Sequence, residues 1–185
     1  LIFYFLLKEG LPALGEVKLS MLFSTRWYPI EDYYGILPLI TGSVIITLGA
    51  TLISVPFGLA TAIYIAEIAP RWMREILKPI VELLGGIPSV VLGFLGILLL
   101  ANFLRVSMNL PTGLTALGGS LLLAAVALPT VVSVSEDALD TVPRSYREGA
   151  WALGATQWQT IWRVTLPAAR SGVLTAIMLG VGRTI

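Results

Sequence analysis

The 185-residue chain contains no cysteine and no histidine. Without cysteine there are no disulfides and no thiolate nucleophiles, and the redox compartment cannot be read. Without histidine as well, imidazole bases and the common zinc sites are excluded. Charge is scarce: Asp, Glu, Lys and Arg make up 12% of the residues, against about 25% in an ordinary soluble domain. A net charge of +1 gives no basic field for nucleic acid. There is also no Gly-rich loop ending in Lys-Ser/Thr, so the chain carries no seat for nucleotide phosphates.

What the chain has is apolar surface. It is 56% hydrophobic with a mean hydropathy of +0.87, arranged in long runs, which places it among membrane proteins. Ile36 to Ala66 holds no charge over 31 residues. As a helix that is about 46 Å, longer than a hydrocarbon core of about 30 Å. It must tilt, kink or project, and Pro56 followed by Gly58 is the expected kink. Leu83 to Leu104 is a second span, and its start, Gly85-Gly-Ile-Pro-Ser89, does not read as smooth helix. Ser89, Gly93 and Gly96 put small residues along one side, where membrane helices approach closely. Leu114 to Val134 is a third span, with Gly118, Gly119 and Pro129 inside it. Ala168 begins a further span that holds Arg183.

Between the spans, Lys8 to Gly35 reads as an extramembrane loop whose Trp27, Tyr28, Tyr33 and Tyr34 approach the interface. Glu67 to Pro79 reads as a polar loop. Leu1 to Leu7 is too short to span and reads as the tail of a membrane helix. The expectation is an all-α integral membrane fragment with one partial helix, three full spans and a truncated further span. It forms a single domain over residues 1–185, without internal repeats. Loops 67–79 and 135–170 hold seven cations (Arg71, Arg74, Lys78, Arg144, Arg147, Arg163, Arg170), and loops 8–35 and 105–113 hold four (Lys8, Lys18, Arg26, Arg105). The excess puts loop 135–167 in the cytoplasm.

That loop has internal punctuation. Ser135 can cap a turn carrying Glu136 and Asp137. Pro143 suits the first position of a helix, which continues to Leu153 with Tyr146, Ala150 and Leu153 on one face. Gly154 fits a left-handed stop. Thr156 and Gln159 form a capping-box pattern, and Trp158, Ile161 and Trp162 make the apolar face of a second short helix. Pro167 cannot donate to that helix and restarts the chain into the membrane. On pattern alone an interfacial amphipathic hairpin without a partner reads equally well.

Glu148-Gly-Ala, three residues, Gly154, nine residues, then Val164-Thr-Leu166-Pro167 resembles the loop signature of binding-protein-dependent ABC importer permeases. That signature reads Glu-Ala-Ala, three residues, Gly, nine residues, Ile, one residue, Leu-Pro. The departures are Gly149 for Ala, which costs about 1 kcal/mol of helix propensity, and Val164 for Ile. Glu9-Gly-Leu-Pro12, Trp27-Tyr-Pro29, Gly35-Ile-Leu-Pro38, Ala66-Glu-Ile-Ala-Pro70, Gly86-Ile-Pro-Ser-Val90 and Val142-Pro-Arg-Ser-Tyr-Arg-Glu148 resemble the phosphate-specific branch, in its PstC-type subunit. The resemblance covers nearly the whole chain.

The resemblance implies a type I ABC importer transmembrane domain in the cytoplasmic membrane, translocating inorganic phosphate. Its expected partners are a second permease subunit (PstA-like), two ATPase subunits (PstB-like) and an extracytoplasmic phosphate-binding protein (PstS-like). It also implies a non-catalytic subunit with no cofactor of its own, since ATP and Mg belong to the ATPases. The loop helix would dock in a cleft of the ATPase through Arg147, Glu148, Gly149, Ala150, Trp151 and Leu153, with Gly154, Leu166 and Pro167 behind. Arg147, Glu148 and Trp151 would form its exposed side.

Arg183 lies thirteen residues beyond Arg170, hence about 20 Å deep. A guanidinium there needs a partner and suits an oxyanion, so a phosphate pathway and a structural ion pair both account for it. Gly86, Pro88 and Ser89 could line the same path through broken backbone, or simply pack a helix start. An ion-gradient transporter is a rival, but the three spans lack the buried acids it would use. A membrane scaffold would need neither Arg183 nor the spaced signature. A permease for sulfate, molybdate or another anion shares the signature and is separated only by the branch-specific stretches and Arg183.

Overall fold

The computed structural model describes residues 2–16, 23–31 and 33–185. The chain packs as two compact units, residues 1–45 and 46–185. In the first, helix α1 (Ile2–Glu16) runs well past the apolar start. Strands β1 (Trp27–Tyr28) and β2 (Tyr33–Tyr34) then pair antiparallel, Trp27 with Tyr34 and Tyr28 with Tyr33. The stretch expected as loop is thus folded at both ends, and two of its aromatics, Trp27 and Tyr34, stack edge to face at 6.4 Å. Lys18 lies outside the described residues.

Helix α2 (Leu37–Ile63) runs through Pro56 without ending there. It leaves α geometry only later, in a π-helical turn at Tyr64–Ile68. The polar loop expected at 67–79 is instead largely helix α3 (Arg71–Gly86). Its charges recur every three to four residues (Arg71, Arg74, Glu75, Lys78, Glu82), which makes an amphipathic helix out of what composition alone reads as loop. A break at Ile87 and Pro88, both extended, separates α3 from α4 (Ser89–Leu95), which continues through a π turn into α5 (Asn102–Ser107). Thr115 accepts from Gly118 N–H and caps α6 (Ala116–Asp140). Ser135 therefore caps nothing: it is fully buried inside α6, which runs six residues beyond Val134 because Ser135–Asp140 pack on α3 and on the polar loop.

Among the described residues, Leu37–Ile68, Ser89–Ser107 and Ala116–Asp140 are long and apolar enough to cross a membrane. Gln157–Ala168 and Arg170–Gly182 form a fourth candidate bent by 75°. α6 is the axis of packing. Arg74 meets Asp140 at 3.6 Å, Lys78 meets Glu136 at 2.7 Å, and a Cβ on Gly85 would lie 3.4 Å from Pro129. α3 therefore descends antiparallel along α6, and the Ile87–Pro88 break stands opposite the middle of α6. Farther along, Gly96 faces Leu122 and Gly118 faces Leu104. Val131 of α6, fully buried, is seated between Gly58 of α2 and Gly180 of the last helix, where any added Cβ would collide with it. A buried apolar cluster (Ile65, Val132, Leu139, Val142, Ile161, Val173) closes the bundle under the polar loop.

Candidate functional site

The loop after α6 folds as helix α7 (Arg144–Ala152), a glycine turn, helix α8 (Gln157–Thr160), a π turn at Ile161–Thr165 and the short α9 (Leu166–Ala168). It then bends at Ala169 into α10 (Arg170–Gly182). Pro143 stands one position before the helix it was expected to start inside. Gly154 has φ +81°, the left-handed stop expected of it, and its N–H bonds to Trp151 O at 2.9 Å. The capping box is formed: Thr156 Oγ1 accepts from Gln159 N–H at 3.3 Å, and Gln159 Oε1 accepts from Thr156 N–H at 2.9 Å.

The faces of the two short helices differ from expectation. Leu153 is 91% exposed and Tyr146 is exposed, so the Tyr146–Ala150–Leu153 stripe does not anchor α7. No side chain of α7 is fully buried. Of the three residues expected to form the apolar face of the second helix, only Ile161 is buried, while Trp158 and Trp162 stack edge to face and stay exposed.

Arg147, expected on the outward face, turns inward: its side chain is 13% exposed and Glu67's is 7% exposed. Nε donates to both carboxylate oxygens of Glu67 at 3.1 and 3.2 Å, and Nη2 donates to Oε1 at 2.6 Å. Nη1 reaches Val142 O at 2.7 Å and Nη2 reaches Leu139 O at 3.0 Å. A guanidinium suits this place because its planar fork serves a carboxylate and two carbonyls together.

Glu67 sits in the π turn that ends the span Leu37–Ile68, where backbone carbonyls have lost their helical partners. Gln157 Nε2 donates to Glu67 O at 2.8 Å. Arg74 Nε donates to Ile65 O at 2.8 Å, and Arg74 Nη2 donates to Ala66 O. The negative end of that helix is thus gripped by Arg74 and Arg147, cations at the terminus that favours them. Lys78 Nζ donates to Glu136 at 2.7 Å and to Asp137 at 3.2 Å, and its bond to Glu136 raises its pKa above the ordinary lysine value. Glu136 keeps one carboxylate oxygen buried and without a partner among the described residues.

A cleft of about 600 Å³ opens beside this network, lined by Glu67, Arg74, Asp140, Arg144, Glu148 and Trp151 among others. Glu148, Gly149 and Trp151 are exposed, Ala150 is half-buried, Leu166 is half-buried and Pro167 is exposed in α9. A protruding helix with a carboxylate and an indole beside a charged cleft is suited to gripping another protein. The two substrate-path groups lie apart from it. Gly86, Pro88 and Ser89 are exposed at the helix break, and Gly86 and Pro88 line a surface groove of about 620 Å³ with Pro79, Glu82, Leu83 and Ile87. Arg183 is exposed at the C-cap of α10 and does not line that groove. Sequence reading missed Glu67, Arg74 and Gln157. The signal available was Glu67 itself, an acid at the end of a 31-residue uncharged run.

The profile of the family described as binding-protein-dependent transport system inner membrane component matches residues 54–185. The chain belongs to that family. Within this permease family it is similar to a probable ABC transporter permease protein, YqgH, of Bacillus subtilis (strain 168), 44% identical over 91% of this chain and 55% of that protein. It is 33% identical to the phosphate transport system permease protein PstC of Xylella fastidiosa (strain 9a5c) over 95% of this chain and 60% of that one. It is 34% identical to PstC 1 of Mycobacterium tuberculosis over 85% and 52%. The chain therefore spans little more than half the length of the curated relatives it matches. A chain of the MetNI methionine ABC transporter in inward-facing conformations aligns with a TM-score of 0.59 and 23% identity, covering 80% of this chain and 66% of that one. The fold is the all-α transmembrane domain of a type I ABC importer, and the chain is a multi-pass membrane protein.

Proposed function

We propose that the chain is part of the permease subunit of an ATP-driven importer that moves inorganic phosphate across the cytoplasmic membrane. The observation that carries the coupling half is the exposed α7, with Glu148 and Trp151 free at its surface and Gly154 in the left-handed turn behind them. α7 docks in a cleft of the ATPase on the cytoplasmic side, with one ATPase per permease subunit. Arg147, Gly149, Ala150, Leu153, Leu166 and Pro167 shape and support that handle. When ATP closes the ATPase pair, the docked helices move and the spans rock between inward- and outward-open states. Hydrolysis, with its Mg, belongs to the ATPases, and this subunit is not an enzyme.

The cargo half is supported by relatives that are phosphate transport permeases by name. Arg183 is the candidate phosphate-facing cation, since a guanidinium at that depth suits a dianion. The break Gly86-Ile-Pro-Ser89 stands opposite mid-α6, where discontinuous helices bring backbone polar groups to a transport path. A second permease subunit completes the pathway, and an extracytoplasmic binding protein delivers the anion.

The test is uptake of radiolabelled phosphate, sulfate and molybdate by vesicles holding the full complex, with ATP inside and without it. ATP-dependent uptake of phosphate alone is expected. Uptake driven by an ion gradient without ATP would overturn the reading.

A further inference from the structure

Resting on the ATP-driven reading above, we infer that Arg147 is a positioning residue rather than an ATPase contact. With Glu67 it forms the strut that carries motion of the docking helix into the span Leu37–Ile68.

The argument starts from how poorly α7 is otherwise held. It has no fully buried side chain, and its large apolar residues Tyr146 and Trp151, like Leu153 just beyond its end, are exposed. An element attached only by shallow apolar contact can slide when pulled. Arg147 prevents that. Its guanidinium reaches three places at once: the Glu67 carboxylate, Leu139 O of α6 and Val142 O of the link between α6 and α7. A bidentate fork fixes direction as well as distance. Both charges are mostly enclosed, so water cannot easily substitute for either partner.

Glu67 is held a second time, through its carbonyl, by Gln157 of α8. Both arms of the hairpin thus converge on one residue at the end of one span, across sequence separations of 80 and 90 residues. A partner that displaces α7 must therefore displace the end of Leu37–Ile68 and the end of α6 with it. α10 is reached differently, through α8, α9 and the 75° bend at Ala169. The sequence signature marks the handle, whereas the strut lies outside it, in Glu67.

Two measurements on the full complex decide this. These 185 residues contain no cysteine, so any thiol among them is an introduced one; reactive cysteines elsewhere in the complex are replaced first. First, spin labels at Ser145→Cys and Ile68→Cys, both exposed positions, report the separation of α7 from the span end. A single narrow distance, unchanged by ATP, is expected; with Arg147→Gln added it should broaden or split. An ATP-dependent distance in the otherwise unaltered complex would overturn the proposal, and so would an undisturbed distribution with Arg147→Gln. Second, phosphate imported per ATP hydrolysed should fall by roughly tenfold or more in Arg147→Gln while hydrolysis continues, a fraction of what breaking a buried charge pair can cost. A ratio within twofold of the unaltered complex would refute the strut.

Should Arg147→Gln fail to assemble, the pair Glu67→Cys with Arg147→Cys decides. Joining the two thiols with a short reversible cross-linker should restore the ratio, and reductive release should abolish it again; no difference between the two states overturns the proposal. If the unaltered complex hydrolyses ATP but imports no phosphate, the cargo reading fails, and the distance measurement still judges the strut.

Discussion

Replacement of Gly154 separates backbone strain from crowding in a single position. Its φ of +81° lies in the left-handed region, and a Cβ built there meets nothing within 4 Å. A substituent therefore suffers only the conformational penalty, about 1–2 kcal/mol for an L-residue. Asn, which visits this region readily, should cost less than Ala, and β-branched Val should cost most. A penalty of that size multiplies the open population of the α7–α8 turn by roughly five to thirty. Hydrogen exchange of the full-length subunit reads this directly. Amides around Gly154 and Ala155, including the Ala155 N–H bonded to Ala150 O at 3.0 Å, should lose protection in the order Asn, Ala, Val, while the amides of α6 stay unchanged. Equal effects of Asn and Val, or equal loss in α6, would refute the reasoning.

Gly58→Ala should destabilise the bundle by about 1–3 kcal/mol through overpacking, because the new Cβ would fall 2.7 Å from Val131 Cγ1. Val131→Ala in the same chain should relieve that strain, so a double-mutant cycle in detergent unfolding should show clear non-additivity, and additivity would count against the packing. Glu148→Lys should leave membrane insertion and assembly intact, yet reduce ATP-driven uptake by roughly tenfold or more, the effect of about 1.4 kcal/mol at the docking contact. Full uptake would remove Glu148 from the handle. Arg183→Gln should abolish phosphate uptake without loss of assembly, and normal uptake would leave Arg183 with a structural role.

The spans were legible because uncharged runs of that length have few other uses. The left-handed Gly154 and the Thr156–Gln159 box were legible because each depends on residues within three positions of itself. α3 was not, because a charge-rich stretch has the composition of a loop and of an amphipathic helix alike. They spread along one helix face, with Arg74 and Lys78 turned toward the acids of α6. Ser135 misled for a related reason: a residue that caps turns locally can also be buried inside a helix, and tertiary packing decides which. The largest miss concerns Arg147, whose place beside Glu148 in the signature suggested a shared outward role. Its partner lies 80 residues earlier, a pairing that only the folding of α7 back against the end of α2 creates. Local pattern located α7, and long-range packing located what holds it.

The central claim is that a folded loop on this chain delivers ATP-driven motion to an anion path. Paired measurement of phosphate entry and ATP hydrolysis in vesicles of the complete transporter, with the unaltered chain and with Glu148→Lys, tests it most directly. The account predicts that phosphate enters the unaltered vesicles only with ATP, and that Glu148→Lys separates hydrolysis from entry. Phosphate entry without ATP, or an unchanged ratio in the Glu148→Lys vesicles, would contradict it.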